Sequence, residues 1–151
     1  MREIVYTPDE RDRQWRPTVL ATVGRISLMA WEVPAEREEP WRRFLQEISG
    51  SRQEAYAESR RRLGVSAESV WLAPKRSGGG VAVVFFAAED RERVLRELGA
   101  SEAPFDSWYR KEMRELFGCD FARLAQSAGG ELLFSWREAS DEGNQESRNG
   151  S

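Results

Sequence analysis

Residues 81–86 read VAVVFF, and this stretch decides the fold. A strand with one face in water alternates apolar and polar side chains, because successive side chains point to opposite faces. Here every position is apolar, which predicts a strand that is buried on both faces. The helices that the sequence predicts can cover one face of such a sheet. The other face then requires a second sheet, most simply from a second copy of the chain, which predicts a homodimer.

Three further strands are predicted by short runs of apolar and aromatic side chains, at 25–33, 69–73 and 131–136. In the last run, Leu132, Phe134 and Trp136 recur at every second position, as in a strand. The run SGGG at 77–80 predicts a flexible hairpin turn. It does not predict a phosphate-binding loop, because it lacks the following helix and lysine that such a loop needs.

Helices are predicted at about 34–63, 89–98 and 106–117. The first is expected to kink near Gly50 and to end at Gly64, and Asp106 is the expected N-cap of the third. The element order is therefore β-α-β-β-α-β with an extra helix before the last strand. This order predicts an α+β, ferredoxin-like fold with an antiparallel sheet.

The composition is that of a globular protein, with 40% hydrophobic and 32% charged residues in a chain of 151. This length fits one domain, which we place at 18–138, between an N-terminal arm at 1–17 and a polar tail at 139–151 that is expected to be disordered. The net charge is −3, and both signs are spread along the chain. Since nucleic-acid binding requires a one-sided basic surface, we expect no nucleic-acid partner.

The chain contains no histidine, which weighs against His-ligated haem, imidazole-bound zinc and Ser-His-Asp catalysis. We therefore predict neither a metal nor a cofactor. Any proton transfer would use Asp, Glu, Tyr, Lys, Arg or water. Cys119 is the single cysteine, which excludes an intrachain disulfide and favours a reducing compartment. With no histidine to lower its pKa, its predicted role is packing.

No stretch of the sequence predicts export or membrane insertion. Residues 1–16 are charged, and the apolar run at 19–23 is far shorter than a membrane span or the apolar region of a signal peptide. A soluble, cytoplasmic protein with no membrane partner is expected.

Three segments carry a resemblance to a known superfamily: EAYAESRRRLGVSAESVWL at 54–72, GASEAPFDSWYRKEM at 99–113 and GGELLFSW at 129–136. Over about 24–137 the chain resembles the dimeric α+β barrel superfamily, whose best-known branch is antibiotic-biosynthesis-monooxygenase-like. It is most similar to a small family of unknown function within or beside that superfamily. The resemblance implies a homodimer in which two sheets form one barrel.

The loop at 104–106 departs from the pattern of that family, in which a Pro-hydrophobe-Asp loop is followed by a histidine. Here Pro104, Phe105 and Asp106 are followed by Tyr109 at the corresponding place. The substitution removes an acid/base group or metal ligand, so a histidine-dependent activity does not carry over to this chain.

A ligand cavity is expected either between the sheet and the helices or between two sheets. Its apolar walls would be formed by aromatic side chains with one methionine beside them: Trp31, Trp71, Phe86, Trp136 and Met29. Of these, the three tryptophans are the candidate ligand-binding residues. An ordinary hydrophobic core contains the same residue types and is the alternative interpretation.

Five polar residues are candidates for the site: Arg25, Glu54, Glu68, Asp106 and Tyr109. Glu54, Asp106 and Tyr109 are the catalytic candidates, because a carboxylate or a phenol can act as a base. Arg25 and Glu68 are candidates for ligand binding. Each group also has a structural alternative, with Glu68 and Asp106 as caps or turn formers and with Arg25 and Glu54 as an ion pair.

Three functions remain open from the sequence. The first is a dimer that binds a small apolar or aromatic molecule, which requires only a cavity. The second is a cofactor-independent monooxygenase or isomerase, in which one of the catalytic candidates forms an enolate and the tryptophans hold the ring. It requires a base pointing into a dry cavity. The third is a structural or interaction module, which requires a filled barrel.

Overall fold

The structure is a computed structural model, and it describes residues 19–127 and 129–139. Within these residues the chain forms four strands and five helices. In chain order they are β1 (Val19–Val23), β2 (Ile26–Val33), α1 (Ala35–Ser49), α2 (Gln53–Leu63), β3 (Ala67–Pro74), β4 (Gly80–Ala87), α3 (Arg91–Ala100), α4 (Pro104–Phe117) and α5 (Phe121–Ala125). The arm predicted at 1–17 and nearly all of the tail predicted at 139–151 lie outside the described residues.

The four strands form one antiparallel sheet in the order β1-β2-β4-β3. Strand β4, which contains the VAVVFF stretch, lies between β2 and β3. The α+β class and the antiparallel sheet are therefore confirmed, and the arrangement is compatible with a ferredoxin-like fold. Among the described residues, no helix is both long and apolar enough to cross a membrane.

The strand predicted at 131–136 is wrong, because the structure gives these residues no secondary structure. The place beside β2 is taken instead by β1, which pairs with it from Val23 opposite Ile26 to Val19 opposite Ala30. Gly24, with φ +59°, allows the tight turn between the two strands. Closing so short a loop costs little chain entropy, which favours this local hairpin over a strand from the far end of the chain.

The predicted long helix is two helices, because α1 ends at Ser49 and α2 begins at Gln53. The interruption falls at Gly50, where a kink was expected. Helix α2 ends at Gly64 in the left-handed conformation, as predicted. Helix α3 is capped by Asp90, whose side chain accepts a hydrogen bond from the backbone N–H of Arg93.

The helices cover one face of the sheet and form the core with it. Trp31 of β2 is 3% exposed and makes edge-to-face contacts with Trp41 of α1 and Phe117 of α4, at centroid distances of 6.3 and 5.6 Å. Met29 and Phe86 point to the same face and are also buried. This face therefore contains a closely packed aromatic core.

The other face of the sheet is mostly apolar, with Glu32 and Ser69 as polar exceptions, and no described helix covers it. We call it the open face. It carries Val23, Ile26, Phe85 and Trp71, which are 65%, 47%, 37% and 62% exposed. In a single copy the VAVVFF strand is therefore fully buried only on its helix side, where Ala82, Val84 and Phe86 lie.

Candidate functional site

A cavity of about 40 Å³ lies between the sheet and the helices. Most of its wall is apolar, with Trp31, Trp41 and Phe86 among the lining residues. Three polar side chains also line it: Arg60, Glu68 and Tyr109. This combination of apolar walls and a few polar groups is typical of small-molecule sites.

Arg60 is the centre of the polar wall. Its side chain is 7% exposed, and its Nε atom lies 3.4 Å from Oε1 of Glu68. The guanidinium also lies over two aromatic rings, 4.6 Å from the ring centroid of Tyr56 and 4.7 Å from that of Tyr109. The Tyr56 hydroxyl donates a hydrogen bond to the same Glu68 oxygen. A buried cation, a carboxylate and two rings thus form one compact group.

Three secondary-structure elements bring this group together. Tyr56 and Arg60 are four residues apart on α2 and therefore share one face of the helix. Glu68 follows the turn at Gly64 and lies opposite Phe86, on the helix side of β3. Tyr109 comes from α4. The left-handed glycine turn folds β3 back so that Glu68 meets the helix that precedes it.

A second polar cluster, around Asp106, adjoins the first. The Asp106 side chain is fully buried and accepts hydrogen bonds from Ser59 at 2.5 Å, Ser101 at 2.5 Å and Arg62 at 2.7 Å. Arg60 donates a hydrogen bond to the Ser59 hydroxyl at 3.3 Å, which joins the two clusters. The expected N-cap role of Asp106 is wrong, because α4 begins at Pro104 and Asp106 binds side chains from elsewhere in the fold.

Burial and charge set the protonation states of these groups. Burial and the nearby charge of Glu68 raise the pKa of Tyr56, and burial raises the pKa of Tyr109 against an opposing effect of Arg60. Burial would lower the pKa of Arg60, but the combined effects of Glu68, Tyr109 and Tyr56 outweigh burial and raise the pKa. At neutral pH both phenols are therefore protonated and Arg60 is charged.

The pKa of Asp106 shifts in the opposite direction to that of a buried acid without hydrogen-bond partners. Burial alone would raise its pKa, but the hydrogen bonds from Arg62, Ser101 and Ser59 outweigh burial and lower it. Asp106 is therefore a carboxylate at neutral pH. Its oxygens are occupied by three donors, which makes it a poor base.

The structure brings together three of the five polar candidates. Glu68 and Tyr109 line the cavity, and Asp106 joins them through Ser59 and Arg60. The cap or turn role considered for Glu68 is wrong, because its carboxylate binds Arg60 and Tyr56 instead.

The other two polar candidates lie away from this group. Glu54 is exposed on α2 and lines only a shallow surface depression. Arg25 is exposed in the turn after β1 and lies 3.6 Å from Glu89. The predicted ion pair of Arg25 with Glu54 is therefore wrong.

The predicted aromatic wall is divided between different surfaces. Trp31, Phe86 and Met29 line the cavity on the helix side. Trp71 lies on the open face, opposite to Val70 and Leu72 as its strand register requires, and is 62% exposed. Trp136 is 75% exposed and lies on neither face of the sheet, because the strand predicted at 131–136 does not form.

Sequence reasoning missed Tyr56, Ser59, Arg60 and Arg62 as members of the two polar clusters. The spacing Tyr56–Arg60–Leu63 on one helix face was a signal that could have been used, because it places an arginine within an otherwise apolar stripe. The run of three arginines at 60–62 hid the signal, since such a run is usually exposed.

Cys119 is 2% exposed and lies in the hydrophobic core. Burial, with the nearby charge of Asp120, raises the pKa of its thiol. This agrees with the predicted packing role. Among the described residues, no group of three or more Cys, Asp or Glu side chains is arranged to hold a metal ion.

In comparisons with known proteins, no family model, no curated protein and no solved structure matches the chain.

Proposed function

We propose that the protein binds a small apolar or aromatic molecule in the cavity between sheet and helices. The observation that carries the proposal is the polar wall of Arg60, Glu68 and Tyr109 on an otherwise apolar cavity. A ligand in this cavity places its apolar part against Trp31 and Phe86. A single hydrogen-bonding group on the ligand then meets the polar wall.

The cavity also sets the size of the ligand. Its volume of about 40 Å³ is well below the roughly 150 Å³ that holds a benzene molecule in a protein core. An aromatic ring therefore enters only when flexible side chains such as Met29 and Leu45 move. The cavity reaches the edge of the sheet at Val70, which lines it and is 37% exposed. We place the entrance there.

We also propose that the protein is a homodimer in which two open faces meet, as in a dimeric α+β barrel. The support is the apolar character of that face, which carries Trp71 on the edge strand β3 and Phe85 on the neighbouring strand β4. Monomeric proteins rarely expose a contiguous apolar patch of this kind. A barrel of this type would also place the chain near the antibiotic-biosynthesis-monooxygenase-like proteins that it resembles.

The geometry favours binding over catalysis. A general base must be deprotonated, accessible to the substrate and matched in pKa to its task. Asp106 has a lowered pKa and three hydrogen-bond donors, Tyr109 has a raised pKa, and Glu54 lies on the outer surface of α2. None of the three catalytic candidates combines these properties.

The binding proposal is tested by isothermal titration calorimetry of the full chain, with phenol and, separately, with toluene. We expect saturable binding of phenol, weaker binding of toluene, and a loss of this preference in Tyr109→Phe. Val70→Phe should raise the Kd for phenol about tenfold or more, because it narrows the entrance. Gln46→Phe is the matched control, since Gln46 is exposed on α1 and does not line the cavity.

Two results would overturn the binding proposal. The first is the absence of saturable binding of either probe. The second is an equal effect of Val70→Phe and Gln46→Phe on the Kd for phenol. Either result would favour the structural module, which the small volume of the cavity also allows.

A further inference from the structure

The segment at 131–136, ELLFSW, is a second unpartnered apolar surface of the chain. We call it the C-terminal segment. Its large side chains are the most exposed large hydrophobic side chains of the described residues: Leu132 74%, Leu133 85%, Phe134 83% and Trp136 75%. Leaving four such side chains in water is unfavourable, at about 25 cal/mol for each Å² of apolar area. This cost indicates that the segment has a binding partner.

The start of the segment is fixed against the sheet. The backbone N–H of Gly130 donates a hydrogen bond to the carbonyl oxygen of Leu20, at 2.5 Å. Gly129 and Gly130 allow this approach, since a Cβ on either would lie within 3.3 Å of that oxygen. The chain therefore leaves the domain at the outer edge of β1, near Arg91 of α3, and then extends into solvent.

We infer that the C-terminal segment of one copy forms a strand on the sheet of a second copy, where Leu132, Phe134 and Trp136 pack against the open face around Trp71. The inference rests on the proposed dimer and adds a reciprocal exchange of this segment. Each copy then supplies one segment and one open face, so a two-fold symmetric pair satisfies both surfaces. The inferred strand also accounts for the large apolar side chains at every second position of 132–136, since this pattern has no function in an uncovered coil.

The size of the two surfaces fits a stable dimer. A large aromatic side chain buries about 150–250 Å². The segment and the exposed part of the open face would therefore together bury an area on the order of 800 Å² per copy. That is the area which a partner buries in an interface of ordinary size. Six residues of extended chain span about 20 Å, the length of a typical strand.

The experiment compares two neighbouring substitutions in the full chain, Phe134→Asp and Ser135→Asp. Both place the same charge in the same segment, but only Phe134 points to the inner side of the inferred strand. We expect Phe134→Asp to raise the dimer Kd about tenfold or more and Ser135→Asp to change it less than about threefold. Sedimentation velocity over a dilution series measures both constants. Since both side chains are exposed in a single copy, neither substitution should impair folding.

Exchange between copies is then tested by mixing isotope-labelled and unlabelled protein. Isotope-filtered NMR should show contacts between the methyl groups of Leu132 in one copy and the Trp71 indole of the other. Contacts only within one copy would overturn the inference, as would contacts to Trp71 from residues 1–18 in place of the C-terminal segment.

The failure of the inference can be distinguished from the failure of the proposed dimer. A dimer that Trp71→Arg weakens and Phe134→Asp leaves unchanged would retain the face-to-face pairing and overturn the exchange. A monomeric wild-type protein at micromolar concentration would overturn both.

Discussion

The guanidinium of Arg60 lies over the rings of both Tyr56 and Tyr109 and is neutralised by Glu68, whose Oε1 is 3.4 Å from Nε. A charge in this buried position loses its favourable free energy of hydration. The contacts with the rings and with the carboxylate compensate for part of that loss. Each member of the group therefore depends on the others. The arrangement ties α2 to β3 and α4 at the wall of the cavity.

The coupling within this group is testable by a double-mutant cycle of Arg60→Met and Glu68→Leu. Each single substitution leaves one buried charge without its partner and should lower the free energy of unfolding by about 3–5 kcal/mol. The double variant removes both charges and should be destabilised by less than the sum. Urea unfolding at one fixed protein concentration measures all four proteins. Additive effects within about 0.5 kcal/mol would contradict the coupling.

Asp106 should make stability depend on pH in the acid range. Its pKa is lower in the folded protein than the ordinary value of 3.8, so its contribution is complete above pH 3.8 and is lost as pH falls through the folded value. Asp106→Asn should therefore be destabilising at pH 7, and the difference from wild type should shrink below about pH 4. Glu97→Gln serves as a control, for which a much smaller difference is expected because the Glu97 side chain is 41% exposed and pairs with Arg93 on its own helix. A difference for Asp106→Asn that does not change between pH 7 and pH 3 would disprove the role of its carboxylate.

Cys119 should be unreactive in the folded protein, because its thiol is buried and burial raises its pKa. We expect a disulfide reagent such as Ellman's reagent to react slowly with native protein at pH 8 and at once in 6 M guanidinium chloride. Rapid labelling of native protein would show that Cys119 is accessible and would contradict its buried position.

Trp71 and Trp41 should respond differently to replacement by alanine. Trp41 is 2% exposed in the core, so Trp41→Ala should cost about 3–5 kcal/mol at any protein concentration. Trp71 is 62% exposed in a single copy, so Trp71→Ala should cost less than about 0.5 kcal/mol once the dimer is dissociated by dilution. Its effect should appear as weaker dimerisation. A large loss of stability in the monomer would show that something within the chain covers the open face.

The sequence was sufficient for the elements whose signals are local. The 3.6-residue periodicity located the stretch that forms α1 and α2, and Gly64 marked the end of α2. The fourth strand was misplaced because 19–23 and 131–136 are both short apolar runs. Only the tight turn at Gly24 distinguishes them.

The site was less predictable, because it depends on which face each strand turns inward. In β2 neither alternating set is clearly polar, so the sequence did not indicate that Trp31 faces the helices while Ala30 faces away. The burial of Arg60 was hidden for a related reason. Its partners Glu68 and Tyr109 lie on other elements, and their contact with Arg60 arises only when β3 and α4 pack against α2.

We propose that the open face, which carries Trp71 and Phe85, pairs with a second copy of the chain. Sedimentation equilibrium of the full chain at micromolar concentration tests it most directly. We predict a mass of twice 17.3 kDa, which returns to 17.3 kDa when Trp71 and Phe85 are both replaced by arginine. A wild-type mass of 17.3 kDa at that concentration would contradict the claim.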